Sequence, residues 1–257
     1  MKKNAMLKIA AILMVAVLLT TCAISSTFAK YVTKEATGAV SNVGQVAKWG
    51  LGIAVSTTTP ELFSASYTKD TLKVESEDTT KYLVAPGTSG EADYALKITG
   101  TPQVAYKVYI DSQITLTGWM ANGSFYCPLT FKFGTQDADG EWEGTPQVVN
   151  GSTYTSDTEL LAALELAYAR AVLGSTANTD TYNGDACVSA TFAPNVAVPS
   201  LDKDITIYWE WNFEVDDAND TKDTALGNAD TPATVSVGFS AWAEQVGQDF
   251  ATKTTTP

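Results

Sequence analysis

Two stretches late in the chain alternate apolar and polar residues with period two, a pattern that fits a pleated strand with one buried face and fits no helix. In 204–215, Ile205, Ile207, Trp209, Trp211 and Phe213 share one face, and Thr206, Tyr208, Glu210, Asn212 and Glu214 share the other. In 234–246, Val235, Val237, Phe239, Ala241 and Ala243 make the apolar face. The same period runs through Ala92, Tyr94, Leu96 and Ile98, and again through Val104, Tyr106, Val108 and Ile110 after the breaker Gly100-Thr101-Pro102. Further strands are predicted over 46–55, over 81–84 before the turn cluster 85–90, and over 125–133, where Pro128 implies an edge or a bulge.

One segment follows a different period. Ser156-Asp157-Thr158-Glu159 has the form of a capping box, Leu160, Leu161, Leu164 and Tyr168 follow at helical spacing, and Gly174 stands where a C-terminal cap belongs. The spacing predicts one inserted α-helix over about 156–173, packed across one end or face of the sheets. Many short strands, turn residues between them and a single helix predict a mostly β fold, a two-sheet antiparallel sandwich of jelly-roll type.

The first residues bear on compartment. Lys2, Lys3 and Lys8 precede eleven apolar residues, 9–19, a run too short for a stable membrane span. Thr27 and Ala29 then supply small residues at the −3 and −1 positions of a cleavage site. The reading is a signal peptide over 1–29, a flexible N-terminal arm over 30–45, one sandwich domain over 46–250 and a short Thr-rich tail over 251–257. A rival reading of the leader makes Cys22 a lipidated residue, with Thr21 ill-suited to the position before it. Export places the mature chain outside the cell or on its surface.

Charge and cysteine narrow the partners. The whole chain carries −13, and removal of 1–29 takes three lysines and no acid, leaving −16. Such a chain repels nucleic acid and anionic lipid. It suits a chain that stays soluble outside the cell or collects divalent cations; the partners expected are further copies of the chain or other extracellular matrix or surface proteins, with no nucleic acid and no membrane span. Cys127 and Cys187 are the mature cysteines; they form either one disulfide, stabilising by about 3–5 kcal/mol in the chain-entropy picture, or two separate buried thiols.

The chain has no histidine. That removes Ser-His-Asp and Cys-His nucleophiles, HExxH zinc sites and imidazole proton shuttles together. No phosphate-binding glycine loop occurs either. Glu210 and Glu214 are the best pair for a two-carboxylate glycosidase, weighed against solvated residues of one strand face. The expectation is a protein that is not an enzyme and has no resident cofactor unless calcium is one. For calcium, Asp217, Asn219, Thr221 and Asp223 place oxygens at alternate positions of an acidic loop, 216–223, without EF-hand spacing; 137–141 is a second acidic turn. The competing reading is a pair of solvated Asx turns. Trp119, Trp142 and Trp242, near turns or opposite the apolar strand face, could form an exposed platform for glycan rings.

Several short motifs carry a family resemblance. Thr27-Phe28-Ala29-Lys30-Tyr31 after a short apolar core resembles the leader end of proteins processed by SipW-type signal peptidases. Leu83-Val84-Ala85-Pro86-Gly87-Thr88-Ser89-Gly90 before an alternating strand, and the closing Ala243-Glu244-Gln245-Val246, are similar to the TasA/camelysin-like family. Trp209-Glu210-Trp211-Asn212-Phe213-Glu214 followed by Asp223-Thr224-Ala225-Leu226-Gly227-Asn228 looks like Firmicutes, hence Gram-positive, relatives of that group. The resemblance implies a jelly-roll sandwich secreted as a biofilm-matrix or surface-fibre subunit, in which the N-terminal arm of one subunit, here 30–45, completes the sheet of the next. The proteolysis associated with the camelysin branch is not carried over to a chain without histidine. The function expected is therefore a secreted structural or cell-surface fibre subunit, and the alternative is an extracellular glycan- or calcium-binding sandwich module.

Overall fold

The alternating stretches pair as antiparallel strands. In the computed structural model, which describes residues 32–33, 48–55, 61–69, 72–78, 80–94, 96–213 and 216–247, nine of these strands make two sheets. They are β1 (Val32–Thr33), β2 (Ser89–Tyr94), β3 (Tyr106–Ser112), β4 (Leu129–Gly134), β5 (Gln147–Asn150), β6 (Asn178–Tyr182), β7 (Asp185–Phe192), β8 (Ile205–Trp211) and β9 (Phe239–Gln245). A five-stranded sheet runs β1-β9-β3-β7-β6, and a four-stranded sheet runs β5-β4-β8-β2. Smaller pairs, such as Gly52–Val55 with Leu96–Thr99, flank them. Val32–Pro257 forms one compact unit; the leader, Lys30 and the rival lipidation site Cys22 lie outside the described residues.

Both sheets turn alternate residues into one core. Val108, Ile110, Val188, Ala190, Ala241 and Ala243 come from the first sheet, and Leu129, Phe131, Phe133, Ile205, Ile207 and Trp209 from the second, each with at most 4% of its surface exposed. The protein is thus a mostly β sandwich of antiparallel sheets, as the alternation predicts.

The predicted helix is α1, Asp157–Leu173. The Glu159 amide donates to Ser156 Oγ (3.3 Å), and the Glu159 carboxylate reaches back to the Thr155 amide and hydroxyl (3.3 and 3.0 Å). Gly174, at φ 87°, closes the far end by donating its amide to the Arg170 carbonyl (2.9 Å). The helix buries Leu160, Leu164, Tyr168 and Val172 against the core.

Four expectations need correction. A second helix, α2, spans Asp217–Gly227, where the acidic loop was expected. Asp216 caps it, accepting from the Asn219 amide (2.8 Å), Asp217 and Asp220 favour its positive N-terminal end, and buried Leu226 anchors it. The Trp strand stops at Trp211, so Phe213 leaves the apolar face and is 59% exposed. The alternating run 234–246 breaks at Val237–Gly238: Thr234–Ser236 pairs with Thr115–Thr117, and only Phe239–Gln245 joins the large sheet. The run from Ala92 to Ile98 likewise divides, β2 pairing with β8 while Leu96–Thr99 pairs with Gly52–Val55.

Trp209 shows why one of these strands tolerates so little change. Its indole is fully buried and donates to the Leu62 carbonyl (2.8 Å), and the Phe63 and Tyr67 rings lie 5.4 and 6.0 Å away. Gly90 lies beneath it on β2, where a Cβ would come within 2.4 Å of the Leu62 carbonyl oxygen. Trp209→Ala opens a large cavity and orphans that carbonyl, so we expect a loss of about 3–5 kcal/mol in urea unfolding. Trp209→Phe, which loses only the hydrogen bond and part of the ring, is expected to cost less than half as much in the same measurement.

Candidate functional site

The edge of the five-stranded sheet is formed by β1 and β9. β9 is flanked by β3 over its whole length, from Phe239 opposite Ser112 to Gln245 opposite Tyr106. On its other side β1 pairs at two positions only, Val32 with Glu244 and Thr33 with Ala243. Among the described residues Ser240, Ala241 and Trp242 have no second strand beside them. The expected arm thus begins as an edge strand of its own sheet; 34–47 lie outside the described residues.

The two faces of this edge differ. Toward the core stand Ala241 and Ala243, small and nearly fully buried, backed by Val108 and Ile110. Away from it, Trp242 stacks on Tyr109 (5.5 Å between centroids, 8° between planes), and Tyr182 leans on both at 4.9 and 5.2 Å. Tyr109 donates its hydroxyl to Glu244 Oε1 (2.8 Å), and burial first, then this carboxylate, pushes the phenol well above its ordinary range. Farther along the face Lys107 pairs with Asp180, which also accepts from Ser189 Oγ (2.6 Å). Burial pushes the Asp180 carboxyl up, but Lys107, Ser189 and the Thr181 amide together hold it below the usual range. The outer face of the edge is thus held by stacked rings and ion-paired side chains, although Trp242 Nε1 and Gln245 Oε1 are buried without a hydrogen-bond partner.

The expected calcium residues are brought together only in part. On α2 the alternate positions Asp217, Asn219, Thr221 and Asp223 point around the helix and do not converge. Asn219 and Asp223 meet at Tyr126, whose hydroxyl lies 3.4 Å from Asn219 Oδ1 and donates to Asp223 Oδ1 (2.8 Å); Trp211 Nε1 donates to Asp223 Oδ2 (3.1 Å). Thr221 donates its hydroxyl to the Asp217 carbonyl instead (2.9 Å). Asp223 is a clamp that fastens α2 to the sandwich. The second acidic turn satisfies itself, Asp137 Oδ1 accepting from the amides of Asp139 and Glu141 (both 3.0 Å).

The three tryptophans do not form one surface. Trp119 is 3% exposed, donates its indole N–H to the Thr234 carbonyl (2.8 Å) and packs on Trp211, so it belongs to the core and not to an exposed platform. Trp142 is half-buried against Gly134, on the β4 side, and Trp242 belongs to the β9 stack. Glu210 bonds Lys132 (3.3 Å) and Tyr208 (3.0 Å), while its proposed partner Glu214 lies outside the described residues. Cys127 and Cys187 are two separate buried thiols, pushed by burial up to about 12 and about 11, which keeps them protonated and inert. Among the described residues no helix is long and apolar enough to cross a membrane. The β9 edge escaped the sequence reading, because alternation identifies a strand without saying which strand ends a sheet.

No protein-family model matches the chain, and no curated protein matches it.

Asp223→Ala leaves Tyr126 and Trp211 without their shared acceptor, so we expect a loss of about 2–3 kcal/mol by urea unfolding. The Tyr126 phenol, raised by burial and then by this carboxylate, should also titrate at lower pH in the variant, read by ultraviolet absorbance.

Proposed function

We propose that this chain is a secreted structural subunit of an extracellular matrix or cell-surface fibre, and that it assembles when the arm of one copy pairs with β9 of the next. The observation that carries the reading is the two-residue β1: an arm segment adds to β9 in the antiparallel sense, and among the described residues it pairs with Glu244 and Ala243 alone. Unpaired strand edges template further strands, and main-chain bonds to such an edge give affinity while alternate side chains give register. An incoming strand would set every second side chain beside Ala241 and Ala243, the small core-facing residues of this edge. The other side chains would lie beside Trp242 and Glu244.

Export belongs to the same reading. Cleavage after Ala29 would make Lys30 the new terminus, two residues ahead of Val32, and so release the arm from whatever precedes it. The jelly-roll wiring implied by the family resemblance, the extracellular location and the absence of catalysis are parts of this proposal.

Electron microscopy and light scattering of the mature protein, beginning at Lys30, against a version lacking 30–45 provide the test. Fibres are expected from the first and not from the second, and an added peptide of residues 30–45 should shorten the fibres by capping β9. Identical monodisperse particles from both proteins, on concentration or acidification, would refute assembly through the arm.

A further inference from the structure

Helix α1 meets the end of β3 through a side-chain hydrogen bond at the polar border of the core. Ser112 Oγ donates to Glu165 Oε2 (3.2 Å), while Glu165 Oε1 is buried and has no hydrogen-bond partner. One turn further along, Tyr168 is fully buried and stacks on Phe239 of β9. We propose that Glu165 is a proton-operated latch: protonated, it seats α1 against the end of the five-stranded sheet, and ionised, it loosens that seat.

The surroundings favour the neutral acid. From β3, Asp111 adds negative charge, and Asp185 on β7 adds more beside Asp111. Cys187 on β7 is a neutral thiol whose own ionisation Glu165 opposes. Lys107 is engaged with Asp180, and Lys132 on β4 is turned to the opposite face, where it pairs with Glu210. β5 and the strand Thr115–Thr117 carry no ionisable residue. Within α1, Glu159 is bound at the N-terminus to Thr155, and Arg170 lies more than a turn beyond Glu165. Among the described residues no cation forms an ion pair with Glu165. A carboxylate with one buried, unpartnered oxygen and like charge nearby is costly, whereas its protonated form loses much less.

Burial pushes the Glu165 carboxyl up to about 7, against the downward pull of the Ser112 hydroxyl and with help from Asp111. An unfolded glutamate titrates near 4.3, roughly, so the folded chain holds this proton more tightly. The stabilisation is complete below the unfolded value and is lost as pH rises through about 7. The device therefore works across the range between mildly acidic and neutral surroundings, and it does not depend on how the chain assembles.

Urea unfolding of the full mature protein and of Glu165→Gln, each at acidic and mildly alkaline pH, tests the latch. Glutamine mimics the protonated acid. The ratio of folding constants, wild type over variant, should fall by about ten-fold or more on going to the alkaline side, partial solvent access keeping it below the full linkage limit. An unchanged ratio would overturn the proposal. Should Glu165→Gln not fold, carbon-detected NMR titration of the Glu165 carboxyl in the wild type decides: a midpoint near 7 supports the latch, and one in the ordinary glutamate range overturns it.

Discussion

The sandwich is closed where three aromatic rings from three elements meet. Tyr168 of α1 lies face to face with Phe239 of β9 (3.5 Å between centroids, 9° between planes), and Phe133 of β4 stands edge-on to both at 6.0 and 6.4 Å. Each ring comes from a different layer, so the two sheets and the helix cannot separate without breaking this contact. Aromatic pairs in these geometries add about 0.5–1.5 kcal/mol beyond the area they bury. Phe239 is also the first residue of β9, so the same contact sets where the strand begins after Gly238. The edge proposed for assembly is thereby tied to the centre of the core.

This dependence explains which parts of the fold were legible in the sequence. Strands with one face on the core and one on solvent keep period two, and Tyr106, Val108 and Ile110 on β3 or Ile205, Ile207 and Trp209 on β8 land as their spacing requires. α1 was legible for a similar reason, since Ser156, Glu159 and Gly174 signal its ends through local hydrogen bonds. Where the chain changes sheet, local signals fail. Alternation continues through 92–98 and through 234–246 although each run serves two different pairs, because a change of partner strand leaves the side-chain period intact.

The site residues were harder, and the reason is chemical. Acidic and Asn-rich segments favour turns, caps and cation ligands alike, so 216–223 could be read as a loop when Asp216 in fact caps a helix. Tryptophan is as ambiguous: Trp119 near a turn is buried because its N–H finds the Thr234 carbonyl, whereas Phe213, in line with an apolar face, is exposed because β8 has already ended. Burial in both cases depends on residues more than a hundred positions away or on a strand terminus. Neither appears in local composition.

A protein without histidine can still respond to pH if a carboxyl is moved into the neutral range. The means here are burial and like charge, with no imidazole involved. Glu165 occupies the polar border of a helix that, one turn further along the same side, touches β9 through Tyr168. Ser112, its hydrogen-bond partner, is the residue of β3 that pairs with Phe239 in the ladder. Protonation at Glu165 and order at the start of β9 are thus linked through two short paths, one of stacked rings and one of paired backbone. Ionisation would not have to unfold the sandwich to be felt at the edge. Loosening one turn of α1 would relax the support beneath Phe239, while the far end of β9, where Val32 and Thr33 pair, keeps its own contacts. Helix seating and arm pairing thus reach β9 at its two ends, Phe239 and Glu244, so under the two proposals a proton at Glu165 and a strand at the edge would act on the same element from different places.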